Sequence, residues 1–284
     1  MIHTRVTGAS REVLIGYDLP TVLIGERINP TGKKRLADAL RAGDLSVIRE
    51  VAAAQAAAGA DILDVNVGTT GVDEVVMLPR AVQAVAETVD LPLSLDSRNV
   101  KALRAALEVC PGRPIVNSVT GEESSLEEVL PLVKEFGAAI IGLTLDDTGI
   151  PPEAEARVAI ARKIVERAEA LGIPRDDVII DCLTLTLGAN TSAGLATLEA
   201  VRRVKTELGV NQTQGCSNIS HGLPNRPVLN AAFLAVAIEA GLTCPTVDVA
   251  QVRMTVLGTD LLLNRDDYAV RYITAFREAQ AATP

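Results

Sequence analysis

Short apolar runs alternate with amphipathic stretches along the chain, and this rhythm constrains the fold more than any other feature. The strand-like runs are Thr21–Gly25, Asp61–Val67, Leu91–Asp96, Pro114–Ser118, Ala138–Leu145, Asp177–Leu183, Val210–Cys216 and Pro245–Val249. Apolar residues at helical spacing fill the intervals: Asp44–Ala58, Glu74–Val89, Asn99–Cys110, Ser124–Phe136, Pro152–Leu171, Leu195–Leu208, Asn225–Ala240 and Val252–Leu263. A last helix is expected over Asp266–Ala281. Asp44 is positioned to cap the first helix and Gly59 to stop it. Strands that alternate with helices form parallel sheet. Eight repeats in 284 residues suit closure into a (β/α)8 TIM barrel, which takes ~250 residues. An open doubly wound sheet would carry a Gly-rich phosphate loop after its first strand. The residues there are Gly25-Glu26-Arg27-Ile28-Asn29, which is not that loop. No linker or low-complexity segment interrupts the pattern, so one domain over 1–284 is expected.

Composition agrees with buried parallel strands. Hydrophobic residues make up 48% of the chain, yet aromatics are only 2% and Trp is absent, so Ala, Val, Leu and Ile must build the core. A net charge of −9 with no basic stripe argues against a nucleic-acid partner. No apolar run approaches the ~18 residues of a membrane span, and the first twenty residues lack a signal core. A cytoplasmic protein is expected. Cys110, Cys182, Cys216 and Cys244 form no CxxC pair, and cysteines spaced this way are usually reduced and buried. A zinc reading would use Cys182 and Cys216 but lacks clear further ligands; no metal is expected.

Active sites of α/β barrels lie at the C-terminal strand ends. Those ends carry Glu26 and Asn29, Asp64 and Asn66, Asp96 and Ser97, Asn117 and Ser118, Asp146 and Asp147, Asp181, then Ser217, Asn218 and His221, and Asp248. Asp and Asn dominate, with almost no cations. Such a ring suits a neutral heterocycle rich in N–H donors, because a carboxylate accepts two such bonds side by side and an amide serves donor and acceptor together. Asp96, Asp147 and Asn190 also sit where helix caps would be. Asn117 and Asp181 lie inside apolar runs, where a cap is less natural and an unpaired carboxylate is costly. Val210–Cys216 is polar where a barrel strand is normally apolar.

Seven segments in order resemble the methyltetrahydrofolate:corrinoid protein methyltransferases, a pterin-binding family with the dihydropteroate-synthase-like barrel that includes the folate domain of cobalamin-dependent methionine synthase. They are IGERINPTGKK (24–34), DILDVNVG (61–68), LSLDS (93–97), IVNS (115–118), IGLTLDDTGIP (141–151), IIDCL (179–183) and SNISHGLPNRPVLNAAFLAVAIEAGL (217–242). The resemblance implies pterin-contacting carboxylates at Asp96 and Asp181 and a pterin-binding amide at Asn117. It places Asn218 beside the reacting nitrogen as the catalytic residue, with Ser217 and Arg226 in the same motif. Glu26, Asn29, Asp64 and Asn66 match the first two strand-end motifs. The chain departs from its relatives at Cys182 and His221.

The implied activity moves a methyl group between N5 of tetrahydrofolate and the cobalt of a corrinoid (cobalamin), in a direction the sequence leaves open. With only His3 and His221, the chain lacks the Asp-x-His-x-x-Gly cobalt-ligand motif, so a separate corrinoid protein is the expected partner. The resemblance also implies a homodimer. Two other readings stay open: a dihydropteroate synthase-like enzyme, which would need more cations, and a non-catalytic folate-binding protein.

Overall fold

The computed structural model describes residues 2–281. Met1 and residues 282–284, which the expected domain includes, lie outside the described residues. An N-terminal hairpin comes first, β1 (Thr4–Thr7) and β2 (Glu12–Ile15). The barrel strands are β3 (Ile24–Ile28), β4 (Ile62–Asn66), β5 (Leu93–Asp96), β6 (Ile115–Thr120), β7 (Ala139–Leu143), β8 (Val178–Asp181), β9 (Asn211–Thr213) and β10 (Thr246–Val247). Helices α1 (Lys34–Ala42) and α2 (Ser46–Ala57) follow β3. Then α3 (Glu74–Ala86), α4 (Val100–Leu107), α5 (Glu123–Phe136), α6 (Ala154–Ala170), α7 (Ala193–Arg203) and α8 (Arg226–Ala240) follow successive strands, and α9 (Val249–Leu262) and α10 (Val270–Ala281) end the chain.

The eight strands pair in parallel in the order β10-β3-β4-β5-β6-β7-β8-β9. A parallel bridge between Gly215 and Thr246 joins the two ends. Thr246 N donates to Gln214 O at 3.0 Å, and Cys244 N to Gln212 O at 3.0 Å. The barrel is thus nearly closed, and the TIM-barrel expectation holds.

Side chains alternate across each strand, which divides the core in two. Outward residues such as Leu63, Val65, Leu93, Leu95, Val116 and Ile140 pack under the helices. Inward residues Ile24, Ile62, Ile115, Ala139, Ile141 and Ile179 fill the N-terminal half of the barrel. Val6, Val13 and Ile15 of the hairpin join that inner cluster and plug its end. Gly112 lets the plug approach: an added Cβ would lie 2.2 Å from Gly8 O, and its φ of +75° suits glycine.

The plug explains the polar strand. Asn211 and Gln212 are fully buried. Asn211 Nδ2 donates to Thr4 Oγ1 and Ile15 O, both at 2.9 Å. Gln212 Nε2 donates to Tyr17 Oη and Val201 O, both at 3.0 Å. The amides of β9 therefore tie the plug and α7 to the wall; they serve assembly, away from the barrel mouth.

Other differences are local. The first barrel strand lies at Ile24–Ile28, three residues beyond Thr21–Gly25, because the polar mouth residues Glu26 and Arg27 remain in the strand. Thr21–Leu23 lead in, with Leu23 N bonded to Asp61 Oδ2 at 2.9 Å. The strand expected over Val210–Cys216 is only Asn211–Thr213, after which Cys216–Ser220 forms a 3-10 turn. Helix α1 and the hairpin come in addition to the expected elements. Asp44 Oδ1 accepts from Ser46 N at 2.8 Å, and Gly59 follows the end of α2 with φ +94°. Asp96 and Asp147 cap nothing: Asn99 caps α4, and Glu153 precedes α6. Asn190 Oδ1 accepts from Ser192 N at 3.0 Å, ahead of α7.

Candidate active site

Register converts the sequence pattern into a site. Asn66 pairs with Asp96, Asp96 with Asn117, and Asp181 with Leu143 and Thr213, all at the C-terminal ends of their strands except Asn117, which lies midway along β6. Above the apolar inner layer these strands open a cavity of about 370 Å³. Glu26, Asn29, Asp64, Asp96, Asn117, Asp181, Ser217 and Asn218 line it. Eight of the ten expected site residues therefore meet in one cavity. Asn66 stands one bond behind, donating from Nδ2 to Asp96 Oδ2 at 2.9 Å and accepting from Gly68 N at 2.8 Å. Arg226 lies in an adjoining pocket of about 270 Å³ that shares Glu26 and Ser217 with the main cavity.

The acidic groups are held away from their usual ionisation. Burial pushes the Asp64 carboxyl well up, and the neighbouring Asp96 charge pushes it further. Asp64 Oδ1 accepts from Ser94 Oγ at 2.7 Å and from Asn117 Nδ2 at 3.1 Å. Burial also raises Asp96, against the hydrogen bond from Asn66. Two like charges this close resist ionising together, so the pair favours a single negative charge. Asp181 is pushed up to about 7 by burial, opposed by backbone N–H bonds from Leu183 and Gly215 and by Arg157. Glu26 is raised by burial and pulled back by Lys33, while burial lowers Lys33.

These bonds fix which atoms face the cavity. Asn117 Nδ2 is engaged by Asp64, which leaves its carbonyl oxygen for the cavity. The Asn117–Ser118 peptide is cis. Asp96, Asn117 and Asp181 together offer acceptors to a ligand with several N–H groups. Asn218 is different. It is exposed on the 3-10 turn after β9, held through its backbone: its N–H donates to Gly215 O at 3.2 Å, and its carbonyl accepts from His221 N at 3.1 Å. No side-chain hydrogen bond engages its amide among the described residues. Arg226 braces this turn, with Nη2 to Ser217 O at 2.9 Å and Nε to Ser220 Oγ at 3.0 Å.

Lys33, Thr31, Thr213 and Thr246 also line the cavity and were not expected there. Lys33 Nζ donates to Asn29 O at 3.0 Å. The four cysteines are free; three are buried, and Cys110 is half-buried. Cys182 faces out of the barrel toward Gln212 Oε1, 3.6 Å away, while Cys216 borders the adjoining pocket. Among the described residues no three His, Cys, Asp or Glu side chains gather to hold a metal ion.

Comparison with known proteins agrees with this geometry. Residues 25–248 match the model of the pterin binding enzyme family. The chain is 31% identical over 269 residues to the methylcorrinoid:tetrahydrofolate methyltransferase of Eubacterium limosum, covering 91% of this chain and 97% of that protein. It is 35% identical over 247 residues to the methionine synthase of Mycobacterium leprae, covering 82% of this chain and only 20% of that larger protein. Among solved structures it resembles Xanthomonas albilineans dihydropteroate synthase in complex with indole-2-carboxylic acid and 6-chloroguanine. There the TM-score is 0.69 at 21% identity, over 92% of this chain and 98% of that one. The same enzyme with 4-aminobenzoic acid gives 0.68 at 22% identity, over 94% of this chain and 100% of that one. These structural likenesses show the barrel; the sequence matches show the family. The chain belongs to the pterin-binding enzyme family, and along nearly its whole length it is a homologue of a methylcorrinoid:tetrahydrofolate methyltransferase.

Proposed function

We propose that this protein is a methyltransferase that binds the pterin ring of tetrahydrofolate in the central cavity and exchanges a methyl group between N5 and the cobalt of a corrinoid carried by another protein. The observation that carries this reading is the convergence of Asp96, Asn117 and Asp181 as acceptors in one cavity of about 370 Å³. A reduced pterin presents an exocyclic amine and ring N–H groups on one edge, which such acceptors match. Ionised Asp96 and Asp181 hold the ring; Asn66 orients Asp96, and Asp64 supports Asn117. Glu26, Asn29 and Ser217 complete the wall.

The chemistry is a displacement at the methyl carbon. When folate is the donor, Co(I) supplies the electron pair of the new carbon–cobalt bond and becomes Co(III) as the N5–C bond breaks and its pair stays on N5; in the reverse direction N5 supplies the pair and Co(I) is released. A bare amide anion is a poor leaving group, so N5 needs a proton or a strong hydrogen bond as the bond breaks. Asn218 is suited to this because its amide is uncommitted: it accepts from a protonated N5 or donates to a neutral one. It adds no charge, so it serves either direction of transfer. Arg226 keeps the turn that carries Asn218 in place.

The same reading makes the chain a single-domain, cytoplasmic homodimer of one-carbon metabolism. Among the described residues no helix is long and apolar enough to cross a membrane. Sedimentation of the purified protein tests the dimer. The decisive assay adds tetrahydrofolate to the protein with free or protein-bound methylcobalamin and follows the cobalt spectrum. Formation of Co(I) with methyltetrahydrofolate supports the proposal. Tight folate binding without any spectral change would make the protein a folate binder instead. Condensation of a pterin diphosphate with 4-aminobenzoate would make it a dihydropteroate synthase.

A further inference from the structure

Arg157 sits on α6, outside the barrel wall, and its side chain is fully buried. Buried guanidinium groups are expensive unless paired. Arg157 makes no ion pair among the described residues. Its partners are neutral oxygens: Nε donates to Pro151 O at 2.7 Å, and Nη1 to Leu183 O at 2.9 Å, Thr197 Oγ1 at 3.0 Å and Cys182 O at 3.1 Å. Nη2 has no partner. A charge kept in so costly a setting calls for a use beyond packing.

Its position supplies one. Cys182 and Leu183 are the two residues that follow Asp181 out of β8. Leu183 has a φ of +55°, which a branched side chain adopts only under constraint. Its N–H donates to Asp181 Oδ1 at 2.7 Å. Thr197 Oγ1 also reaches Leu183 O, at 3.3 Å. Arg157 therefore grips, from outside, the turn whose N–H holds the Asp181 carboxyl inside. Arg157 is also a cation that favours the ionised form of Asp181. The other titratable groups around that carboxyl are Glu26, Lys33, Asp64 and Asp96 in the same cavity and the thiols of Cys182 in the same turn, Cys216 after β9 and Cys244 before β10; burial pushes all three thiols well up, so they stay neutral.

We propose that Arg157 is a positioning residue for Asp181: it fixes the turn leaving β8 and, through the wall, biases the Asp181 carboxyl toward its ionised, acceptor-only form. The inference rests on the pterin reading only for its consequence in binding. Arg157 acts through charge and through the turn, and never touches the ligand.

The test titrates Asp181 in the ligand-free protein, using carboxyl-¹³C aspartate and assigning the signal with Asp181→Asn. The wild-type midpoint should lie near 7. Arg157→Gln keeps hydrogen bonding but loses the charge, and should raise the midpoint, the direction expected when a nearby cation is lost. Arg157→Lys keeps the cation and should leave the midpoint in place while lowering Tm. Thr197→Val loosens the turn alone, and should lower Tm without moving the midpoint. An unmoved midpoint in Arg157→Gln overturns the proposal. So does a rise in Arg157→Lys, whether or not the Gln variant folds. Tetrahydrofolate affinity against pH is read alongside. If the Asp181 midpoint moves in Arg157→Gln and affinity ignores it, the Arg157 inference stands and the pterin role of Asp181 falls.

Discussion

Replacing Asp181 by Asn should make the ligand-free protein more stable at alkaline pH while weakening its hold on tetrahydrofolate. The carboxyl ionises at 3.8 when free in water and at about 7 in the folded protein. Because the folded value is the higher one, folding favours the protonated form. The stability associated with that proton is fully present below pH 3.8 and is lost as pH rises through about 7. Above pH 7 the folded protein carries a buried charge that the unfolded chain would keep in water. A shift of about three units at 1.36 kcal/mol per unit sets an upper bound of roughly 4 kcal/mol. Asp181 borders an open cavity, so water screens part of this, and on the order of 2–4 kcal/mol is the working figure. Asn keeps the shape, and its Oδ1 can still accept from Leu183 N, now at 2.7 Å. Urea unfolding of both proteins from pH 4 to pH 8 measures the effect. The advantage of Asn should grow with pH and reach its maximum above 7, with an unchanged m-value. An Asn variant less stable than wild type at pH 8, or an advantage that ignores pH, would refute the reasoning. In calorimetry the same variant should lose tetrahydrofolate affinity. Wild-type affinity should climb as pH passes through about 7, where the acceptor becomes charged.

Three further outcomes are expected. Asn218→Ala should abolish methyl transfer to the cobalt of methylcobalamin while sparing most folate affinity; equal losses in both would remove Asn218 from the chemistry. Asp96→Asn should weaken tetrahydrofolate binding by about 1–3 kcal/mol, the worth of a charged hydrogen bond, and unchanged affinity in calorimetry would place the ring elsewhere. Gln214 is fully buried with both amide atoms unpartnered, so Gln214→Met should stabilise the fold by about 1–2 kcal/mol, and a drop in Tm would show that the amide has a partner after all.

Most of the strands legible in the sequence have two apolar faces. β4, β6, β7 and β8 carry Ile, Leu, Val or Ala inward and outward, so each reads as a continuous run, whereas β5 is apolar only outward, at Leu93 and Leu95, with Ser94 and Asp96 inward. β3 was displaced by three residues because its mouth end is polar. The hairpin strands are four residues long and bury alternate residues, too short a pattern to separate from loop. The amides of β9 stood out as polar, but their partners lie 195 and 196 residues away in the chain, at Tyr17 and Ile15. No local pattern can show such a bond. In the cavity, the carboxylates and amides were legible because they interrupt apolar runs at strand ends. Thr213 and Thr246 were not, since threonine is an ordinary strand former. Lys33 was missed because it lies four residues past Asn29, beyond the strand end, and only the turn into α1 brings it back to the cavity.

The two halves of the barrel carry opposite energetic loads, and this bears on what the site can be. The N-terminal half is filled by apolar side chains and sealed by the hairpin, whose Val6 and Ile15 are fully buried. The amides that join it to β9 have donors engaged at about 3 Å. Almost everything there lowers the free energy of the fold. The C-terminal half holds Glu26, Asp64, Asp96 and Asp181, and burial pushes the pKa of every one up, against ionisation. Carboxyls placed for stability would be salt-bridged or solvated; these four make no salt bridge among the described residues, and Lys33, which lines the same cavity, pulls back Glu26. A fold does not gain from such a ring without a ligand. A bound molecule that gives N–H donors to Asp96 and Asp181 would turn that cost into affinity, because the acceptors are already fixed and desolvated. The strain sits where strands end and the plugged half cannot relax it, so the ligand is the natural source of the missing partners.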